Sequence, residues 1–448
     1  MELFDSIGAL YRHMDNSVEE ARGGVQVFDA ERFRETDIDG IIYNAVFNTD
    51  EVVRDECRRV IRLGAKDIGI RSASIQGLYD AMGAREYGGF TVPAINIRGL
   101  TYDVARAIFR SAKKLNSGAF LFEIAKSEIG YTEQRPAEYT ACCLAAAVKE
   151  GWTGPVFIQA DHFQVNAANF AKNPAEETDA LKTLIKEALD AQFYNIDIDA
   201  STTVDLSKAT VKEQQASNYE ITALLTEHIR ANEPADITVS IGGEIGEVGK
   251  KNSTEEELRA FMDGYLESLK EGSIGISKIS IQTGTSHGGV ALPDGTIASV
   301  KVDFDTIEKL DKICKDDYGL GGVVQHGAST LPDDAFHVFP ERGTVEIHLA
   351  TGFQNMIYDS ANFPTELKEA IYAHLKEQHS GERKEEDTDE QFYYKTRKKG
   401  FGPFKKQMWD LGDEVIGKIG AELEERFDSL FTKLKAVENM ESVTKTIV

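Results

Sequence analysis

Three histidines stand where three hydrophobic runs end. His162 closes Phe157-Ile158-Gln159-Ala160-Asp161-His162, His287 follows Ile279 to Thr283 through Gly284-Thr285-Ser286, and His326 closes Val323-Val324-Gln325-His326. A strand end has its backbone fixed by ladder hydrogen bonds, so imidazoles delivered from three such ends can meet on one ion with little further loss of entropy. Helical HExxH spacing is absent, so tertiary structure must assemble the site. Three neutral imidazoles with an open fourth position suit zinc, which acts there as a Lewis acid on a carbonyl or hydroxyl oxygen. Any one of these histidines alone reads first as a satisfied polar residue at a sheet edge. Together, each beside glycine or aspartate, they read as a metal site.

Two carboxylates belong to the same neighbourhood. Glu244, in Ile241-Gly242-Gly243-Glu244, follows the fifth apolar run and serves either as a further ligand or as a buried carboxylate that orients a histidine. Asp161 directly precedes His162, and strand alternation sends its side chain to a different face of the site, where a carboxylate near a metal can shuttle a proton. The glycine-rich turns Gly284 to Gly289 and Gly327-Ala328-Ser329 let backbone N–H groups approach an anion closely.

The elements that must position these groups alternate. Short apolar runs start near Val92, Ala119, Pro155, Tyr194, Ile237, Lys278, Gly322 and Thr344. Between them lie amphipathic stretches such as 102–115, 137–150, 175–191, 253–270 and 304–315. Eight strand–helix units predict an α/β fold of the (β/α)8 TIM-barrel type over 91–375, whose usual size is about 250 residues. An open doubly wound sheet needs the same alternation, but Ile97-Arg98-Gly99-Leu100 does not supply its usual GxGxxG turn. In a barrel the C-terminal strand ends share one mouth, which would gather Asn96, Asp161, His162, Asp199, Glu244, His287, His326 and His348. Residues 1–90 read as an N-terminal helical extension without a chemical motif. Residues 376–448 read as a charged loop, with 377–390 solvated, followed by a helical tail over 411–438.

Composition narrows the function classes. Over 448 residues, 41% are hydrophobic and 28% charged, which supports a large packed core. A formal charge of −25 argues against nucleic acid or anionic membrane surfaces as partners, and an anionic substrate must meet local positive groups. The basic and aromatic run 392–406 would suit nucleobase stacking in a basic protein; in this acidic chain it reads as a packed tail or subunit contact. No apolar run approaches the roughly eighteen residues of a membrane span, and the start lacks a secretory pattern, so a cytoplasmic location is expected. Cys57, Cys142, Cys143 and Cys314 form no CxxC pair and read as reduced core or helix residues.

The set Asp161-His162, Asp199-Ala200-Ser201, Glu244-Ile245-Gly246, Gly284-Thr285-Ser286-His287-Gly288 and His326-Gly327-Ala328-Ser329 resembles the class II fructose-bisphosphate aldolase family. Parts of it are also similar to the tagatose-bisphosphate aldolase subunit group. The resemblance implies a divalent ion, usually zinc, that binds oxygens of a ketose phosphate and stabilises the enediolate left by C–C cleavage, with no lysine Schiff base. By that pattern His162, His287 and His326 would hold the catalytic ion, and Glu244 a neighbouring or alternative metal position. Asp161 would move the proton of the aldehyde-side oxygen. Gly288, Gly327, Ser329 and Thr351 would hold phosphate, often with a monovalent cation nearby, while Asn96, Asp199, Ser201 and His348 are further substrate contacts. A homodimer or larger homo-oligomer is also expected.

The chain departs from the family in three places. His348-Leu349-Ala350-Thr351-Gly352 stands where the family usually reads Asn-Ile-Asp-Thr-Asp, which weakens the substrate assignment: the resemblance implies fructose 1,6-bisphosphate first, and the missing asparagine and aspartate leave tagatose bisphosphate or another sugar phosphate as the alternative. The glutamate that takes the carbon proton in many family members lies just past a Gly-Gly pair, and here the corresponding run is Gly249 to Glu257, in or beside which Glu255 or Glu247 would serve instead; Glu255 reads also as a first-turn helix carboxylate after a Ser253 or Thr254 cap. Residues 1–90 and 377–390 lie outside the compact family pattern. A reading from another class is a non-catalytic aldolase partner built on the same barrel, against which the intact Asp161 and histidines count.

Overall fold

The protein is described here by a computed structural model covering residues 1–245, 251–285, 292–293, 298 and 301–447. Eight parallel strands close into a ring: β1 Val92–Asn96, β2 Leu121–Ala125, β3 Pro155–Gln164, β4 Asn195–Asp199, β5 Ser240–Glu244, β6 Lys278–Ile281, β7 Val323–Gln325 and β8 Glu346–Leu349. Each pairs with the next in chain order, and β8 returns to β1 with Ile347 opposite Pro93. This is the (β/α)8 barrel that the alternation of apolar runs and amphipathic stretches predicts.

Helices wrap the ring because their apolar positions recur at helical spacing. Glu255–Ser268 buries Leu258, Phe261, Met262 and Tyr265, and starts at Thr254 with a capping box that Glu257 completes. The fifth strand differs from its expected position: the run at Ile237–Ile241 is observed as Ser240–Glu244, which takes in Gly242-Gly243. Glycine pairs usually mark turns, but a Cβ at Gly242 would overlap the Asp197 carboxylate and come within 3.0 Å of Lys278 Cε. The strand needs glycine there because charged side chains fill the barrel.

The first ninety residues contain helices Ile7–Met14, Ile38–Phe47, Glu51–Asp67 and Gln76–Gly83, together with strands a helix-and-loop reading misses. A hairpin pairs Val18–Ala21 with Gly24–Val27, and Arg71–Ala73 pairs with the start of β3, Ala73 opposite Phe157. These strands are too short for periodicity to reveal. Helix Asp413–Lys433 lies along Thr101–Lys114, tied by Arg110–Glu424 at 2.6 Å and Ser111–Asp428 at 2.6 Å. One contiguous cluster of buried apolar residues runs from Leu10 through the barrel to Ala436. The charged stretch 377–390 is not uniformly solvated: Asp387 is buried and accepts from Lys395 at 2.5 Å, and Thr388 caps helix Asp389–Thr396. Among the described residues no helix is long and apolar enough to cross a membrane.

Candidate active site

His162 does not follow the pleat of its strand. The register of β3 on β4 shifts between Ala160 and Phe163, a β-bulge, and His162 takes a left-handed φ of 42°. Such a conformation costs on the order of 1–3 kcal/mol in a non-glycine residue and persists only where the surroundings hold it. Its effect is to place Asp161 and His162, which alternation would part, on the same cavity. Asp161 Oδ1 lies 3.8 Å from His162 Nε2.

His162 is held from behind. Its Nδ1 lies 3.2 Å from Asp199 Oδ2 and 3.3 Å from Glu244 Oε2, and Asp199 is fixed in turn by the Ser201 hydroxyl at 2.7 Å and the Ser201 N–H at 3.1 Å. Asp199 and Ser201, expected as substrate contacts, therefore sit behind the imidazole and outside the cavity wall; they orient it. His326, at the end of β7, has Nε2 2.8 Å from the Ser280 hydroxyl, and its carbonyl accepts from Thr285 at 2.8 Å and Gln325 at 2.7 Å. The rings of His162 and His326 are 4.3 Å apart, and those of His326 and His348 are 4.0 Å apart.

Donor atoms of His162, Glu244 and His326 all lie within 4.8 Å of one another, a set of two imidazoles and a carboxylate that suits zinc or another divalent ion. His287 and Gly288 lie outside the described residues, as does Glu247. Burial, then the charge of Asp199, pushes the Glu244 carboxyl up to about 7. Burial disfavours the His162 imidazolium, but Asp161, Glu244 and Asp199 outweigh it and raise its pKa well above the ordinary value. Protons thus compete with the ion below neutrality, since both ligands must be deprotonated to bind. Zinc affinity of the metal-free protein should tighten by at least about tenfold between pH 6 and 8. Calorimetry in two buffers of different ionisation enthalpy should show proton release; affinity flat across that range would exclude these ligands.

Beneath this level the barrel interior is ionic. His348, which lines the cavity as sequence reading expects, also reaches into this layer: its Nδ1 is 3.2 Å from Asp161 Oδ1 and 3.0 Å from Glu123 Oε2, and its Nε2 is 2.6 Å from Glu346 Oε1. Glu346 accepts from Lys278 at 2.5 Å and from the Tyr79 hydroxyl, and Lys278 also meets Asp197 at 3.0 Å and Gln159 at 2.7 Å. Burial pushes the Glu123 carboxyl up to about 8, with the neighbouring His348 charge opposing it. Sequence reasoning missed Glu123, Lys278 and Glu346. The available signal was a charged residue at an inward position of an otherwise apolar strand.

The cavity above the ion cluster has a volume of about 590 Å³. On one side lie Gly327, Ser329 and Thr351, the expected phosphate contacts, with the Ser329 hydroxyl accepting from the Gly352 N–H at 3.2 Å. Ala350 opens helix Thr351–Asp359 without a side-chain cap. Asn96 lines the cavity and donates to Glu128 at 2.6 Å. The structure does not bring Glu255 here. It sits in the first turn of its helix at the surface, paired with Arg259 and Lys309, each at 3.0 Å, as the capping pattern at Thr254 allows. Cationic wall residues that sequence reading passed over are Arg98, Lys126 and Lys398.

The sequence model of the family described as Fructose-bisphosphate aldolase class-II matches residues 78–421. Comparison with curated protein sequences gives no match. Among solved structures, the chain is similar to fructuronate-tagaturonate epimerase UxaE from Cohnella laeviribosi, with a TM-score of 0.56 at 13% identity over 95% of this chain and 90% of that one. It is also similar to fructose-bisphosphate aldolase from Campylobacter jejuni, with a TM-score of 0.50 at 17% identity over 82% of this chain and 96% of that one. At such identities these two likenesses are of fold.

Proposed function

We propose, for a chain that belongs to the class-II fructose-bisphosphate aldolase family, a metal-dependent aldol cleavage and synthesis of a ketose bisphosphate. The first candidate is fructose 1,6-bisphosphate, giving dihydroxyacetone phosphate and glyceraldehyde 3-phosphate. The observation that carries this reading is the gathering of His162, Glu244 and His326 on the cavity that Asp161 also lines. A bound divalent ion, zinc by its donor set, would supply Lewis-acid polarisation of the substrate's carbonyl and hydroxyl oxygens. Gly327, Ser329 and Thr351 hold a phosphate at one end of the cavity.

Asp161 has the geometry for the proton step. Its carboxylate is steered by His348 Nδ1 at 3.2 Å and faces the cavity beside His162. In the cleavage direction it takes the proton of the hydroxyl on the carbon that becomes the aldehyde. The bond from that carbon to the one beside the ketone breaks, and the ketone-side carbon then takes up a proton from solvent while Asp161 returns its own to solvent. Glu123, whose carboxyl burial pushes up, lies 3.0 Å from His348 and keeps the imidazole directed at Asp161.

A second reading keeps the ion and changes the sugar. His348 and Ala350 stand where the family carries asparagine and aspartate residues, so tagatose bisphosphate or another anionic ketose fits the same wall. A retro-aldol assay on the two C4 epimers, with and without chelator, tests both readings. Cleavage should vanish on complete metal removal and return with zinc, and the faster epimer names the substrate. Cleavage that survives in a verified metal-free protein removes the mechanism.

A further inference from the structure

The basic run of the C-terminal tail is neutralised at every cation but one. Lys395 pairs with Asp387, Arg397 with Asp359 at 2.8 Å, Lys399 with Glu382 at 2.6 Å, Lys405 with Glu138 at 2.7 Å, and Lys406 with Asp410. Among the described residues Lys398 makes no hydrogen bond or ion pair, and it lines the cavity. Its ammonium lies 5.6 Å from the centre of the Tyr131 ring, and burial with the Arg98 charge beside it pushes its pKa down.

Nothing about this placement is loose. Arg397 is buried and donates to Asn355 at 2.5 Å and Asp359, and its carbonyl accepts from the Tyr358 hydroxyl at 2.9 Å. Phe401 packs so closely on Gly99 that a Cβ there would overlap its ring, and Gly402 lies against the Tyr131 carbonyl in the same way. The tail is therefore locked onto the loops after β1 and β2, with Lys398 between those anchors. Arg98, from the loop after β1, reaches the same wall. One edge of its guanidinium is satisfied by Glu128 at 2.7 Å, and the same group extends to Gln354 at 2.8 Å and to Thr351 at 3.3 Å. Glu128 is engaged by Arg98 and, like Glu382, acts on Lys398 only through its field, so the Lys398 ammonium has no ion-pair partner in the cavity it lines together with Thr351 and Ser329.

We propose that Lys398, carried into the cavity by the C-terminal tail, forms with Arg98 a binding wall for the terminal anionic group of the substrate, a phosphate monoester or a carboxylate. This deepens the aldolase reading and rests on it for the sugar, but not for the anion. A half-buried ammonium without a hydrogen-bonded partner is costly, and an anion that accepts charge-assisted hydrogen bonds from it relieves that cost. It also explains how a chain of charge −25 receives an anionic substrate.

The test uses the full chain, zinc-loaded and chelated, titrated calorimetrically with glycerol 3-phosphate and with glycerate. Loss of one charged hydrogen-bond partner should weaken binding in Lys398→Met by about tenfold or more, while Lys398→Arg retains most of it. Lys399→Met, next in the chain and already paired with Glu382, should bind as the parent does. Tighter binding of the phosphate ester assigns a sugar phosphate; tighter binding of glycerate assigns a sugar acid. If Lys398→Met, folded by circular dichroism, binds both probes within about twofold of the parent, or if the parent binds neither at millimolar concentration, the wall is overturned. Lys398-dependent binding in a protein that cleaves no ketose bisphosphate would leave the wall standing and sink the aldolase reading alone.

Discussion

His326→Ala should lower kcat for aldol cleavage by at least about a thousandfold, which corresponds to roughly 4 kcal/mol of transition-state stabilisation. His326 is buried, closes β7, and is steadied by Ser280 at its ring and by Thr285 and Gln325 at its carbonyl. A side chain so constrained gives up little entropy on taking an ion, and alanine removes the donor while leaving the barrel hydrogen bonds in place. The effect should fall on kcat and on zinc content together. Elemental analysis of the purified variant, beside steady-state rates, checks both. A variant that keeps its zinc and its rate would mean that the ion sits elsewhere, for instance in the group formed by Asp197, Glu346 and His348, which does not include His326.

The parts of this site that were legible in the sequence share one property: each depends on position along a strand. The ends of β3, β5 and β7 put His162, Glu244 and His326 at one mouth because parallel strands of a barrel end on the same side. What was not legible depends on contacts between distant segments or on local backbone irregularity. Alternation parts Asp161 from His162, and only the bulge, which leaves no distinctive residue type behind, turns both to the cavity. Gly242-Gly243 has turn composition yet lies in β5, since the need for glycine arises from Asp197 and Lys278 across the barrel. The same holds for the tail. Its basic and aromatic residues are visible in sequence, but which of them lacks a carboxylate partner is decided by residues as far away as Glu138 and Asp359. Glu255 was a candidate from its place in the run that matches the family's glutamate, and its position in the first turn of a helix capped by Thr254 accounts for it.

The ionic layer below the site leads to the second large effect, on stability rather than turnover. Lys278 has no exposed surface and is surrounded by Glu346, Asp197 and Gln159, while Glu346 also accepts from Tyr79 and faces His348. Although burial works against both charges, Asp197 and Glu346 hold the Lys278 ammonium above its ordinary range, and Lys278 and His348 hold Glu346 below its own. Lys278→Met fills most of the volume but leaves Glu346 and Asp197 facing each other with less compensation. Breaking one partner of a buried pair typically costs about 3–5 kcal/mol, because the stranded charge remains desolvated. Urea unfolding of Lys278→Met should show a loss of that size. The double variant Lys278→Met, Glu346→Gln should recover part of it, since the second change removes the stranded charge and keeps a group that can bond Tyr79 and His348. That recovery separates electrostatics from packing: a cavity or a poor rotamer would persist in the double variant. A single variant within about 1 kcal/mol of the parent would show that a hydrophobic side chain replaces this layer without loss, as happens with some buried ion pairs. The lysine would then be retained for its action on Glu346 and, through His348, on the direction of Asp161.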